Sequence, residues 1–294
     1  MDGAVLATTD ARHARMRLSL TTARRFEGVF GAQRMNLQCR PELAAAYKAG
    51  PQITRVLTEE WAARELYCPA CDSRRLLAAK ANTPAVDLEC PRCNQLFQLK
   101  SLRNWNPRRI VDAGYDAMIG AIRSDRVPNL LILQYSADWR VRNLLLIPRV
   151  FLSESAIERR KPLASGARRA GWVGCNILLG QIALDGKIAM IVDGTIMAEQ
   201  QVRDEFSRTH ELARVPPPLR GWAVDVLGVV RRLEKRHFSL RDVYQFESEL
   251  QAAHPLNKNV RPKIRQQLQV LRDIGLIKFS APGRYTIDSV FARP

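Results

Sequence analysis

The stretch PAVDLECPRCNQLFQLKS, residues 84–101, sets two kinds of chemistry side by side. Cys90 and Cys93 stand at the spacing of a metal clip, and Gln98-x-Lys100 follows within an apolar run. AVDLEC and LFQLKS read as two short strands of a hairpin turned by PRCN. Side chains alternate along a strand, so Asp87 shares a face with Glu89, and Gln98 shares one with Lys100. Pairing the strands gathers these four polar groups on a surface flanked by Val86, Leu88, Leu96, Phe97 and Leu99. Half-buried polar groups need partners, and a divalent cation is one. Asp87 and the carbonyl of Gln98 can ligate Mg²⁺ or Mn²⁺. Lys100 can orient a water or stabilise charge developing on a phosphorane, which suits phosphodiester hydrolysis. Glu59 or Glu60, on a neighbouring helix, can complete the shell. Taken alone, the spacing of Asp87, Gln98 and Lys100 reads as an amphipathic strand with a solvated face. The rest of the chain raises the catalytic reading.

Working back from the hairpin, a second clip appears. Eighteen residues separate Cys68-x-x-Cys71 from Cys90-x-x-Cys93, a spacing at which four thiolates close a tetrahedron around structural Zn²⁺. Such a shell has no open position, so its metal holds structure and does no chemistry. Ordinary buried cysteines, or two disulfides, are the alternatives. No secretory signal is recognisable, which predicts a cytoplasmic protein whose thiols stay reduced. Cys39 and Cys175 lack such partners and read as core residues.

The whole chain fits this setting. It has 294 residues, enough for two domains, and 46% apolar content, enough for their cores. Lys and Arg outnumber Asp and Glu by 46 to 29, a net charge of +17 that points first to a polyanionic partner, nucleic acid above all. No apolar run is long enough for a membrane span, and nothing in the sequence points to a protein partner. Residues 1–34, rich in Arg, Thr and Ala with three acids, read as a disordered or mis-assigned N-terminal extension.

Residues 35–215 read as one α/β (α+β) domain. PELAAAYKAG is expected to be helical and to stop at Gly50, and TEEWAARELY to start a new helix at a Thr58 cap. A helix is expected over VDAGYDAMIGAIRSD, and strands at NLLILQYS, VRNLLLIPRVFL, GWVGCNILL and KIAMIVDGTI. ELARVPPPLRGW, with three successive prolines, is expected to be a linker or sharp boundary. Beyond it, residues 219–294 follow the order helix, helix, helix, hairpin. That is the pattern of a winged helix.

Two segments carry the marks of DNA reading. RRKPLASGARRAGW places Arg168 and Arg169 beside Trp172, arginines for phosphates next to an aromatic plane for a base. A core tryptophan beside a solvated basic loop is the other reading. Residues 257–285 hold seven Lys or Arg against Asp273 alone. A recognition helix enters the major groove by its N-terminal half, so Asn259, Lys263 and Gln266 are candidate base contacts, with Val260 a candidate apolar contact. Arg265 and Arg284 are candidates for phosphates.

LTEEWAARELYCPAC, PAVDLECPRCNQLFQLKS, ERRKPLASGARRAGWVGCNI and KIRQQLQVLRD together resemble the DpnI family of methyladenine-dependent restriction endonucleases. The resemblance covers most of residues 35–286 in collinear order. It implies a PD-(D/E)xK nuclease core carrying the zinc site on Cys68, Cys71, Cys90 and Cys93, joined to a winged helix. It also implies catalysis by Asp87, Gln98 and Lys100, type II cleavage of adenine-methylated double-stranded DNA at GATC, and methyl reading by both domains. In one respect the chain departs from the family motif, which has an acid where this chain has Gln98. An amide attracts Mg²⁺ less than a carboxylate, so weaker metal binding or a preference for Mn²⁺ is expected, with Glu89 able to restore a second charge. The competing expectations are a methyl-DNA-binding protein with a weakened nuclease centre, and a zinc-stabilised winged-helix factor that never cut DNA.

Overall fold

The computed structural model describes residues 35–80 and 83–287; the extension expected at 1–34 lies outside the described residues. At its centre is a run of apolar strands. β1 (Leu77–Ala78), β2 (Leu88–Glu89), β3 (Leu96–Leu102), β5 (Asn129–Tyr135), β6 (Val141–Ile147), β9 (Ile188–Val192) and β10 (Thr195–Ile196) form one sheet in that order. β3 and β5 pair in parallel, with Gln98 opposite Leu130 and Lys100 opposite Ile132; the other pairs are antiparallel. A second sheet takes β4 (Arg109–Gly114), β8 (Gly174–Leu178) and β7 (Ile157–Arg159) in that order.

β5 is apolar without alternation because both its faces are covered. Leu131 and Leu133 join Phe97 and Leu99 against Leu57 and Trp61 of α1 (Gly50–Glu65). Leu130 and Ile132 face the other way, toward Ile110 of β4, Ile177 of β8, and Met118, Ile119 and Ile122 of α2 (Tyr115–Arg123). α3 (Glu199–Ser207) adds Val202 and Phe206 to the first cluster, and α4 (His210–Ala213) adds Leu212 to the second.

The C-terminal part is a winged helix. α5 (Pro217–Arg232) precedes β11 (His237–Ser239), α6 (Leu240–Tyr244), α7 (Glu247–Ala253) and α8 (Val260–Asp273). β12 (Lys278–Ala281) and β13 (Arg284–Thr286) form the wing, with β13 between β11 and β12. Ser239 caps α6: its hydroxyl accepts from the Asp242 N–H, and the Asp242 carboxylate accepts from the Ser239 N–H. Gly283, at φ +68°, makes the wing turn.

Four expectations are corrected. Gly50 starts α1 instead of ending a helix, since Pro51 at its first turn needs no N–H partner. Thr58 lies buried mid-helix, its hydroxyl donating to the Thr54 carbonyl at 2.8 Å. The helix expected from Val111 begins only at Tyr115, and Val111 and Asp112 lie on β4. The triproline segment is no free linker either: Pro216 and Pro217 open α5, whose Trp222, Ala223, Val226 and Leu227 belong to the same apolar cluster as α2 and β5. No helix among the described residues is long and apolar enough to cross a membrane.

Candidate active site

The β2–β3 hairpin holds Asp87 opposite Gln98. The Asp87 N–H donates to the Phe97 carbonyl at 2.9 Å, one step beyond the Leu88–Phe97 pair. The Asp87 Oδ2 accepts the Leu99 N–H at 2.7 Å, which fixes the carboxylate against β3. Gln98 is only 7% exposed and Lys100 is half-buried, on the face of β3 that looks toward β4. Asp87, Gln98 and Lys100 therefore share one corner of the sheet.

A residue outside the sequence-based set completes that corner. Asp112, on β4, is buried, its side chain 1% exposed, and its Oδ1 accepts from Gln98 Nε2 at 3.2 Å and from Lys100 Nζ. The helical reading of this segment hid it. The usable signal was the alternation in RIVDAG, where Ile110 and Asp112 fall on the same buried face while Arg109, Val111 and Ala113 stay exposed. Glu89, by contrast, is exposed and sits opposite Leu96. Of the two helical acids, Glu59 is the one near Asp87. Burial pushes its carboxyl above the ordinary value, Arg55 opposes this, and the Asp87 charge adds to it. Glu60 is engaged by Arg64 at 2.9 Å and Arg40 at 3.5 Å. Cys175, paired with Asp112 across β4–β8, reports the same neighbourhood: burial and then the Asp112 charge raise its thiol to about 11, against Lys100 and Arg160. A carboxylate, an amide carbonyl and a second carboxylate beside a lysine are donors suited to a hard divalent cation.

The four clip cysteines converge on one point. Their sulfurs lie within 4.8 Å of one another, with Cys68–Cys93 and Cys71–Cys90 at 3.5 Å, and all four are free. Sulfurs of a tetrahedral zinc–thiolate site are roughly 3.8 Å apart, so the donor set fits. Cys68 and Cys90 each accept a backbone N–H at 3.4 Å, from Ala70 and Arg92. Burial raises the Cys68 thiol, and raises Cys93 to about 11. At Cys90 burial raises the thiol, but the N–H groups of Cys93 and Arg92 together with the Cys71 and Cys93 side chains bring it down to about 6. A bound cation offsets the cost of ionising such crowded thiols.

Trp172 lies half-buried against the β4–β8 pair. Its indole packs over Gly114 and Gly174 so closely that a Cβ on Gly174 would fall 2.9 Å from the ring. The Arg169 guanidinium covers the ring at 5.0 Å, and Arg168 is exposed. Gly114 is two residues from Asp112 on the same strand, so Trp172 and the polar corner share one support.

Asn259, just before α8, and Arg265 and Gln266 on it are exposed and Lys263 is half-exposed, whereas Val260 is buried in the core and cannot offer an apolar contact to a groove. Lys263 Nζ donates to Gln266 Oε1 at 2.9 Å, and Arg265 donates to the Tyr244 hydroxyl at 2.8 Å. Arg284 is exposed on β13 of the wing.

The family model of DpnI, the Dam-replacing family, matches residues 35–215, and that of the Dam-replacing HTH domain matches residues 219–287. The chain belongs to the Dam-replacing family. DpnI is a restriction endonuclease dependent on methylated DNA, so family membership makes this chain a nuclease with DNA as its partner. In this Dam-replacing protein the nuclease family also implies a divalent metal, and the cysteine cluster adds a structural metal site.

Proposed function

We propose that this protein is a metal-dependent, type II restriction endonuclease that cleaves adenine-methylated double-stranded DNA at GATC. The observation that carries the reading is the convergence of Asp87, Gln98 and Lys100 at one corner of β2–β3 within a Dam-replacing chain. Residues 35–215 act as the nuclease domain and residues 219–294 as the DNA-binding domain.

Asp87 and the Gln98 carbonyl would hold Mg²⁺ or Mn²⁺, which when bound supplies Lewis-acid stabilisation of the phosphate. Lys100 orients the attacking water and stabilises the charge that develops on the phosphorane. Zn²⁺ on Cys68, Cys71, Cys90 and Cys93 ties α1 to the hairpin and so holds Asp87 in place. Arg168 and Arg169 contact phosphates around Trp172, which reads the N6-methyl group. Asn259, Lys263 and Gln266 contact base edges, and Arg265 and Arg284 reach phosphates.

The neutral amide at Gln98 favours a second reading, a methyl-DNA-binding protein with weakened catalysis. One plasmid, grown with and without adenine methylation and treated in Mg²⁺ and separately in Mn²⁺, separates the two. The nuclease cuts the methylated plasmid alone. Methyl-dependent binding with no cutting in either metal moves the assignment to the reader.

A further inference from the structure

Charge at the polar corner does not balance on Asp87, Gln98 and Lys100. One carboxylate and one ammonium cancel, and an amide adds no charge, so these three groups give a divalent cation no net attraction. Asp112 changes the sum to one net negative charge. We propose that Asp112 is a working member of the metal centre: it supplies the second negative charge that residue 98 lacks and sets which atom of the Gln98 amide faces the cation. This rests on the nuclease reading above.

Three features support it. First, the Asp112 carboxylate is 1% exposed, and burying a charge so deeply is costly unless the group is paired. Second, the two donors that pair it, Gln98 Nε2 at 3.2 Å and Lys100 Nζ, are both members of the candidate site, and they meet the same oxygen, Oδ1. Carboxylates elsewhere in the scaffold are held by groups outside the site, Asp185 by Arg231 and Asp225 by Ser155 and His254. Third, an amide next to a carboxylate must present its NH₂, because two oxygens repel. Asp112 therefore turns the Gln98 carbonyl oxygen outward, leaving Oε1 as the ligand atom. Without Asp112 the amide is free to rotate and offer a nitrogen that cannot bind a metal. Asp112 also fixes Lys100, which ties the charge of the centre to the position of the water-orienting ammonium.

The test uses the full zinc-loaded chain and four versions of it: wild type, Asp112→Asn, Gln98→Glu, and Gln98→Glu with Asp112→Asn. Mn²⁺ binding is read from the loss of the free-ion electron paramagnetic resonance signal, and cleavage of methylated plasmid is read separately. Asp112→Asn should weaken Mn²⁺ binding about tenfold or more, and the double variant should return to within about threefold of wild type, because the second acid is moved and not lost. Asp112→Asn that binds Mn²⁺ as wild type does overturns the inference. Weakened binding that the double variant fails to restore also overturns it, since a carboxylate needed only for structure cannot be replaced from another strand. Should Asp112→Asn not fold, the double variant, which keeps an acid beside Lys100, decides by the same threefold and tenfold limits. The two readings fail separately. Asp112-dependent Mn²⁺ binding without any cleavage removes the nuclease and leaves the metal centre. Cleavage by wild type and Asp112→Asn alike removes the role of Asp112 and leaves the nuclease.

Discussion

The roles proposed for Lys100 and Trp172 differ, and single substitutions separate them. Lys100 donates to Asp112 within the polar corner, whereas Trp172 lies across two glycines of β4–β8 with Arg169 on its open face. On the proposed mechanism Lys100→Ala removes a transition-state group, so cleavage should fall by about 10²–10³-fold. Methyl-dependent binding, measured by fluorescence anisotropy on a methylated duplex, should stay within about twofold, because α8 and Trp172 are untouched. Trp172→Ala should leave cleavage chemistry in place and cut the preference for methylated over unmethylated duplex by about tenfold, the value of one lost stacking contact. An unchanged preference would move the reader to α8 alone. At this scale the sequence showed Asp87, Gln98 and Lys100, because strand alternation fixes which neighbours share a face. It did not show Asp112. That residue meets the others only through a second sheet, and no local period records contact between sheets.

Among the elements, the strands on either side of Asp87 are short: β1 and β2 have two residues each, too few to hold register by themselves. The four-cysteine cluster does that work from its two ends. Cys68 lies three residues beyond the end of α1, and Cys90 follows β2 directly. Removing the structural metal with a strong chelator, then removing the chelator and restoring Mg²⁺, should therefore leave cleavage abolished while binding by the winged helix persists. Hydrogen exchange should show lost protection across residues 66–99 and little change in α8. A second prediction concerns α6. Ser239→Ala deletes one half of its capping box and should cost about 1 kcal/mol in urea unfolding. The Asp242 carboxyl of that box is held below its usual range, first by Lys235 and then by Ser239. A depressed folded-state value means that this contribution is fully present above the ordinary carboxylate range and is lost as pH falls below that range, through the depressed value. Ser239→Ala should therefore matter less in acid. The Ser239 cap, the Gly283 wing turn and the apolar strands could be read locally, whereas the cap read at Thr58 was not one. The start of α1 could not, because Gly50-Pro51 serves equally as a stop or a first turn, and only packing of Leu57 and Trp61 on β3 decides.

For the molecule as a whole, the two family regions share one apolar cluster. Leu227 and Val226 of α5 are fully buried with Ile132 of β5 and Ala156, across the boundary that the triproline suggested. Polar links follow the same seam. Arg231 pairs with Asp185 at 2.7 Å, and Asp225 accepts from Ser155 at 2.7 Å and meets His254 Nε2 at 2.7 Å. A sequence marks a change of composition, and prolines look like punctuation. It does not mark whether the two sides bury surface against each other. Because they do, the winged helix and the nuclease core should unfold together. Calorimetry of the full chain should give one transition whose van't Hoff and calorimetric enthalpies agree. Leu227→Ala, which opens a cavity at the seam, should lower the stability of that single transition by about 2–5 kcal/mol. Its spectroscopic signals from the cysteine-cluster thiols and from Trp222 should shift by the same amount. Two separated transitions, with Leu227→Ala moving only one, would mean that the regions behave as tethered domains, and α8 would then be free to find DNA without carrying the catalytic corner along with it.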